Sequence, residues 1–503
     1  MKSNKNSPVI AVGLDAAEPL LIRQMIEQGE MPTLKSLLQE GQWLNVKSPS
    51  DIGSGAVWPT FITGDWPAKH GIHAEWSWQP DTMGLQRYSG SNLQPFWKTL
   101  ADQGFRVGIL DVPFAPQVNL KEGFEIVEWG AHDFLEGVLR TAPDSITDFV
   151  DGDFPPHPFS LDRLDTGGPD DKPGLERLTK GCLEGAKLRG TLARRLLAMT
   201  DPNLAIIVFT EIHHSAHYLW HTVSPDDALY KQHVSNHSES IKPGIKDIYS
   251  EIDTQIGNLL ADVAPNCTVI VFSLHGMKPT HGVPAFLEQV LCNLGYARRA
   301  DWKTQSWTER AISLMATVKR NTPQTLKRAY YRTLPTAATI RLARPTMMAS
   351  YDWQRTRAFA LPTDQHGWVR VNLKGREREG IVLPQDYERI CQELEQIFLD
   401  LTDAHKRPVV ARILRTAKVV EEALSQRLPD LVLHWTDAAF AAPLKLQPIG
   451  IQSVPVGKKF TGQHALEGFC IVRSTEPIHT SDTLLGTEMH SLIAKGLRSE
   501  CPW

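Results

Sequence analysis

The residues best suited to chemistry in this sequence are histidines and an aspartate that follow strand-like segments. His213 and His217 are four residues apart, so on a helix they share one face and could bind one Zn²⁺ through nitrogens about 2.0–2.1 Å from the ion. A histidine pair at this spacing is more often structural. Here, however, Asp15 and His275 also follow strand-like segments. Three strand ends with candidate ligands therefore predict a metal site.

Ser54 is the candidate nucleophile, because it directly precedes a short apolar segment with helical character. A serine at the start of a helix faces free backbone N–H groups, which stabilise an alkoxide and a bound phosphoryl group. The alternative is a serine that only caps the helix, which is the commoner role. The local pattern alone favours this second interpretation.

Positioning these residues requires a scaffold, and the apolar pattern predicts one. Residues 8–14, 106–110, 204–209 and 268–272 are continuous apolar or β-branched segments too short for helices, which is typical of buried parallel strands. Amphipathic segments at 21–26 and 34–38 end at glycines. Such alternation predicts an α/β fold with a mostly parallel sheet and helices on both faces, whose ligand site lies at the carboxyl ends of the strands.

The chain divides into three predicted regions: a first part of the core at 1–290, a basic helical insertion or cap at 291–350, and the remainder of the core at 351–503. Between 298 and 344 there are eleven Lys and Arg residues, against only Asp301 and Glu309. This segment is either a cap over an anionic substrate or a solvated helical insertion. Many Pro, Asp and Gly residues predict a surface loop near 153–173.

Composition indicates an ordinary globular protein, with 42% hydrophobic and 22% charged residues and a formal net charge of −4. This charge balance favours neither a nucleic acid polymer nor a membrane surface as the main partner. No segment is long and apolar enough to predict a membrane span, and residues 1–14 do not resemble a signal peptide. Six scattered cysteines are typical of reduced thiols, so we expect a cytoplasmic protein.

Several motifs, in order along the chain, resemble the type I phosphodiesterase and nucleotide pyrophosphatase branch of the alkaline phosphatase superfamily. In that branch a Ser or Thr nucleophile lies nine residues before the Thr of a Thr-Gly pair, and Ser54 lies nine residues before Thr63. The motifs that carry the resemblance are residues 13–17, 61–64, 69–72, 213–217, 273–276 and 461–464. The resemblance implies an alkaline-phosphatase-like fold.

The resemblance also implies two groups of metal ligands. One ion would be bound by His213, His217 and His464, and the other by Asp15, Ser54 and the pair Leu274 and His275. At two positions, His213 and Leu274, the family has aspartate. The three-histidine set suits Zn²⁺, with Mn or Fe as alternatives.

Leu274 is the more serious departure from the family, because a leucine cannot coordinate a metal ion. Only one certain carboxylate, Asp15, remains to balance the charge of two divalent ions. Either Glu211 supplies a second negative ligand, or the second ion is weakly held or absent.

The resemblance implies metal-dependent hydrolysis of a small phosphorylated substrate. A phosphodiester is favoured over a phosphomonoester, because the resemblance is to the phosphodiesterase branch. Ser54 would attack the phosphorus and form a phosphoseryl intermediate. One alternative on the same fold is a phospho- or sulfo-group transferase or a sulfatase-like enzyme, although position 54 lacks the Cys-x-Pro-x-Arg stretch of formylglycine sulfatases. Another is a degenerate, non-catalytic protein that binds metal and uses the basic segment to hold a partner.

Overall fold

The structure is a computed structural model that describes most of residues 8–497. It does not describe residues 91–92, 134, 162–165, 225–243, 281–285, 302–306, 308–309, 312–313, 316–317, 319–321, 323–347, 349, 364, 420–425, 438–459 and 476–480. Most of the basic segment predicted at 298–344 therefore lies outside the described residues.

A nine-stranded sheet forms the centre of the protein, in the order β17-β2-β16-β9-β1-β8-β5-β6-β7. Its strands are β1 (Val9–Leu14), β2 (Gln42–Lys47), β5 (Val107–Leu110), β6 (Gly123–Val127), β7 (Arg140–Ala142), β8 (Leu204–Phe209), β9 (Thr268–Ser273), β16 (Glu467–Arg473) and β17 (Thr483–Leu485). The five central strands from β9 to β6 run parallel. The four strands predicted from apolar segments all lie among these five, which confirms the mostly parallel sheet.

Helices cover both faces of this sheet. In chain order they are α1 (Pro19–Gln28), α2 (Pro32–Glu40), α3 (Val57–Thr63), α4 (Pro67–His70), α5 (Phe96–Asp102), α6 (Asp144–Asp153), α7 (Pro158–Leu161), α8 (Lys172–Thr200), α9 (Glu211–Leu219), α10 (Ile245–Ala261), α11 (Leu287–Asn293), α12 (Pro384–Leu399) and α13 (Met489–Gly496). Alternate residues of β1 point to opposite faces. Ile10 and Val12 pack in the core with α1, α2, α8, α9 and α10, whereas Val9 and Ala11 pack with α3, α5 and α13.

Strand-like segments of the sequence also occur at 359–361, 368–373 and 431–435, and the strands that they form do not join the main sheet. They are β11 (Ala358–Leu361), β12 (Gly367–Val371) and β14 (Leu431–Trp435), which form a separate antiparallel sheet with β13 (Val410–Arg415). This sheet packs with α11 and α12 around its own hydrophobic core. The chain returns to the main sheet only at β16, so much of the region 351–503 builds a second layered unit.

Two shorter pairings complete the description. β3 (Trp76–Gln79) and β4 (Gly84–Arg87) form a hairpin, and β10 (Met277–Pro279) pairs with β15 (Gly462–His464). Near the loop predicted at 153–173, α7 is a short helix and His157 is fully buried. In the described part of the chain, no helix has both the length and the apolar character that crossing a membrane requires.

Candidate active site

The register of the parallel strands brings the predicted ligands to one edge of the sheet. Leu14 is aligned with Phe209, and Gly13 with Phe272, so β1, β8 and β9 end at nearly the same level. Asp15 follows β1 directly, the histidines of α9 follow β8, and His275 follows β9 by two residues. The convergence predicted from the strand ends is therefore present.

His464 reaches this edge from the far end of the sequence. Strand β15 pairs with β10 so that His464 is opposite Met277, two residues after His275. The backbone N–H of Thr461 donates to the carbonyl of His217 over 2.7 Å, which fixes β15 against α9. Gly462 permits this contact, because a Cβ there would lie 2.4 Å from the carbonyl oxygen of Ala216.

We call His213, His217, His275 and His464 the histidine cluster. The Nε2 atom of His213 lies 3.0 Å from Nε2 of His217 and 2.8 Å from Nε2 of His464. Nitrogens bound to one tetrahedral Zn²⁺ at about 2.0–2.1 Å would lie roughly 3.3 Å apart. One nitrogen each of His213, His275 and His464 also lie within 4.8 Å of one another. The spacing is that of a ligand set.

The partners of the outer ring nitrogens show that these histidines suit a cation. Nδ1 of His213 lies 2.8 Å from a carboxylate oxygen of Asp15, and Nδ1 of His217 lies 3.0 Å from the carbonyl oxygen of Gly462. A carbonyl only accepts hydrogen bonds, so Nδ1 of His217 carries the proton, and Nδ1 of His213 does the same when Asp15 is ionised. The two Nε2 lone pairs then face each other, an arrangement that a metal ion between them stabilises.

The electrostatic surroundings keep His213 in the form that binds metal. Burial, together with the neighbouring imidazoles, holds the pKa of His213 well below its usual range. Only the neutral imidazole offers a lone pair to a metal. Burial also raises the pKa of Asp15 to about 7, while the indole N–H of Trp58, which donates to its other oxygen over 3.0 Å, acts in the opposite direction.

Ser54 lies on the wall of a cavity that the histidine cluster also borders. It begins a short 3₁₀ turn before α3, and glycines flank it on both sides. These glycines are required, because a Cβ on Gly53 would lie 2.3 Å from the carbonyl oxygen of His73, and one on Gly55 would lie 2.5 Å from Cα of Ala74. The cavity has a volume of about 270 Å³, and its lining includes Ser54, Trp58, Trp76, Asp133, His275 and His464.

Glu211, considered above as a replacement ligand, is placed in a different group of side chains. One of its carboxylate oxygens accepts hydrogen bonds over 2.9 Å from both Nε of Arg189 and Nε2 of His157. A second nitrogen of Arg189 donates to Asp111 over 2.6 Å, and all four side chains are fully buried. We call these four residues the arginine network. Burial acts to raise the pKa of Glu211, but the Arg189 guanidinium and His157 lower it overall, so this carboxylate forms an ion pair within the arginine network.

The structure brings two further residues to the cluster, His132 and Asp133, which the sequence did not identify as metal ligands. His132 forms a possible ligand group with His213 and His217, and Asp133 forms one with Asp15 and His213. Both lie in the loop after β6, one of the parallel strands, so the same strand-end argument would have found them. Leu274 is buried in the apolar core beside α3, and its side chain supplies no ligand.

Comparison with known proteins agrees with this geometry. The model of the family "Type I phosphodiesterase / nucleotide pyrophosphatase" matches residues 9–447. The chain belongs to this family. Its members' activity identifies the chain as a hydrolase of the phosphodiesterase or pyrophosphatase type. His464 lies beyond the matched range, yet the structure places it in the histidine cluster.

The fold is also that of solved structures with low sequence identity. Phosphonoacetate hydrolase from Sinorhizobium meliloti 1021, in complex with phosphonoformate, is 14% identical with a TM-score of 0.55, over 98% of this chain and 96% of that chain. Human ectonucleotide pyrophosphatase/phosphodiesterase 5 is 12% identical with a TM-score of 0.47, again over 98% and 96%. No curated protein sequence matches this chain. The phosphonoacetate hydrolase structure supports the α/β fold.

Proposed function

We propose that this protein is a metal-dependent phosphodiesterase in which Ser54 is the nucleophile. The observation that carries the proposal is the shared cavity of Ser54, His275 and His464, next to the convergent nitrogens of His213 and His217. Hydroxyl and metal-ligating groups on one cavity are the parts that two-step phosphoryl transfer requires. A cavity of about 270 Å³ suits a small phosphorylated substrate.

The proposed ligands for one ion are His213, His217 and His464, with Nε2 of His213 lying 3.0 Å from Nε2 of His217 and 2.8 Å from Nε2 of His464. A second ion would be bound by Asp15, Ser54 and His275. Zn²⁺ is the preferred metal for a nitrogen-rich set, with Mn or Fe as alternatives. When bound, divalent metal lowers the pKa of a coordinated hydroxyl and stabilises charge on the phosphoryl oxygens.

The chemistry of the chain itself lies at Ser54. Its Oγ forms the new bond to phosphorus as the bond to the ester's leaving oxygen breaks and the seryl proton passes to that oxygen, which gives a phosphoseryl enzyme that keeps the second ester group, and the free alcohol. Water then attacks the phosphorus, the bond from Oγ to phosphorus breaks, and the serine hydroxyl is restored as the phosphate monoester is released. Asp15 orients His213 through the 2.8 Å hydrogen bond, and Trp58 in turn orients Asp15.

Hydrolysis of bis-p-nitrophenyl phosphate tests this proposal, with p-nitrophenyl phosphate, p-nitrophenyl sulfate and phosphonoacetate as competing substrates. We expect Ser54→Ala to lower kcat roughly 10³-fold or more, because it removes the nucleophile. Ser215→Ala is the matched control: Ser215 lies between His213 and His217 on α9, but its hydroxyl donates to the carbonyl of Ile212 over 3.0 Å. We expect this control to hydrolyse the diester normally.

The other outcomes separate the alternatives. Preferred hydrolysis of the sulfate ester would favour a sulfatase-like enzyme. Transfer to an added alcohol in place of water would favour a transferase. A protein that binds metal but hydrolyses none of these substrates would favour the degenerate binding protein. Full activity of Ser54→Ala would contradict the serine mechanism.

We infer a cytoplasmic location from the cysteines. Within the described residues, Cys182, Cys267, Cys292, Cys391 and Cys470 are free thiols. Reduced, mostly buried thiols are typical of the reducing cytoplasm. Fractionation of the producing cells tests this inference, and recovery from the extracellular medium would contradict it.

A further inference from the structure

The imidazole of His213 has two different kinds of neighbour on its two sides. The nitrogens of His217 and His464 face its Nε2 atom at 3.0 and 2.8 Å. Carboxylate oxygens face its Nδ1 atom, with Asp15 at 2.8 Å and Asp133 at 3.8 Å. One ligand atom each of Asp15, Asp133 and His213 lie within 4.8 Å of one another. The site thus has a carboxylate side as well as a histidine side.

Asp133 also borders the cavity that Ser54 and His275 line. The exposed fraction of its side chain is 27%. A carboxylate at this depth loses hydration, a loss that a cation offsets. Asp133 is therefore close both to the second proposed group of ligands and to the nucleophile.

Buried hydrogen bonds fix the start of the loop that carries Asp133. The backbone N–H of Gly130 donates to Asp111 over 2.7 Å. Its carbonyl accepts from Arg189 over 3.0 Å and from the hydroxyl of Thr210 over 2.6 Å. A Cβ on Gly130 would lie 2.5 Å from the ring of His157, so only glycine fits this contact.

A second carboxylate fixes the other end of the same loop. Glu128 accepts backbone N–H groups of Leu135, Glu136 and Val138, the latter two over 3.0 and 2.8 Å. The loop is thus held on both sides of residue 133. Side chains held in this way present ligands without further ordering, as metal sites require.

Charge balance indicates why a second carboxylate is needed at this site. The resemblance to the family implies an aspartate at position 274, where this chain has a buried leucine. Asp15 alone leaves two divalent ions with little compensating charge. We infer that Asp133 is a metal ligand that supplies, from the end of β6, the carboxylate that Leu274 cannot supply from the end of β9. This inference rests on the proposed function.

Zn²⁺ binding to metal-free full-length protein tests the inference, by isothermal titration calorimetry and by elemental analysis. We expect Asp133→Asn to remove one ion or to lower its affinity more than about 100-fold, beyond the roughly 10- to 100-fold loss typical of a residue that only orients a ligand. Glu136→Gln is the matched control, because it removes a carboxylate from the same loop but at an exposed position. We expect it to bind metal as the wild type does.

The outcomes distinguish this inference from the proposed function. If every ion that the wild type binds also binds to Asp133→Asn within about 100-fold of the wild-type affinity, Asp133 is not a ligand. If the wild type binds no ion at all, the proposed function fails instead. The melting temperature of the metal-free variants shows whether each one folds.

An exchange of carboxylates gives a second test. Adding Leu274→Asp to Asp133→Asn returns a carboxylate from the neighbouring strand end. We expect the folded double variant to bind Zn²⁺ at least about tenfold more tightly than Asp133→Asn does, a gain of about 1.4 kcal/mol. No recovery in a folded double variant would contradict an exchange of roles between these positions.

Discussion

The arginine network and the histidine cluster are neighbouring groups of buried polar side chains, and their atoms face one another in different ways. In the arginine network, donors face acceptors: two nitrogens of Arg189 donate to Glu211 and Asp111 over 2.9 and 2.6 Å. In the histidine cluster, like atoms face one another, since Nε2 of His213 lies 3.0 Å from Nε2 of His217. The first group pairs charged donors with carboxylate acceptors, although the second carboxylate oxygen of Glu211 accepts no hydrogen bond from the described residues. The second group brings together nitrogens that a bound cation would stabilise.

This difference separates structural from functional polar groups without any bound ligand. A buried ion pair with satisfied hydrogen bonds fixes loops and strand ends, and removing one partner leaves an uncompensated charge. A set of converging lone pairs destabilises the metal-free protein and stabilises the metal-bound one. Glu211 and His213 are only two residues apart, yet they belong to opposite groups.

The largest expected effect is on the arginine network. Arg189→Met should lower the free energy of unfolding of the metal-free protein by about 3–5 kcal/mol, because it leaves two buried carboxylates without their cationic partner. Urea denaturation followed by circular dichroism measures this loss. Arg106→Met, which breaks an exposed pair with Asp201, is the control and should cost less than about 1 kcal/mol. If Arg189→Met lowered the free energy of unfolding by less than about 1 kcal/mol, the arginine network would not stabilise the fold.

A smaller effect, dependent on metal, is expected in the histidine cluster. Zn²⁺ at 100 times its dissociation constant should stabilise the wild type by about 2.7 kcal/mol. His217→Asn should lose most of this stabilisation, while its metal-free stability changes by about 1 kcal/mol or less. Thermal unfolding with and without Zn²⁺ measures both quantities.

Glu211→Gln makes the corresponding change in the arginine network. It should destabilise the protein with or without metal but leave the number of bound ions unchanged, because Glu211 pairs with Arg189. Loss of an ion from this variant would return Glu211 to the ligand set.

The smallest effect is expected from Thr210→Val. The Thr210 hydroxyl donates to the carbonyl of Gly130 over 2.6 Å, and its loss should lower the free energy of unfolding by about 1 kcal/mol. Because this bond helps to fix the loop of Asp133, we also expect weaker Zn²⁺ binding. Stability and affinity are measured on the same samples. If Thr210→Val lowered the free energy of unfolding but not the Zn²⁺ affinity, the bonds that fix the start of this loop would not contribute to metal binding.

The sequence predicted the parts of the site that follow directly from local patterns. The strands before Asp15, His213 and His275 are continuous apolar segments, so their ends could be located from the sequence alone. His464 could not be placed in this way, because its position depends on the long-range pairing of β10 with β15. The resemblance to the family supplied it.

The loop of Asp133 and the second sheet were harder to predict, for physical reasons. The loop has no periodic pattern, and its shape depends on buried bonds to Asp111 and Arg189, which are distant in sequence. Three of the four strands of the second sheet are recognisable in the sequence, all except β13, but the apolar pattern of a strand does not determine which sheet it joins. Glu211 appeared to be a free carboxylate because its partner, Arg189, lies within a long helix 22 residues away.

The most direct test of the central claim is an anomalous-difference map from crystals grown with Zn²⁺, measured at the zinc absorption edge. The account predicts a peak among the Nε2 atoms of His213, His217 and His464, with the Oγ of Ser54 on the same cavity. A Zn²⁺ peak bound elsewhere, with no density at the histidine cluster, would contradict it.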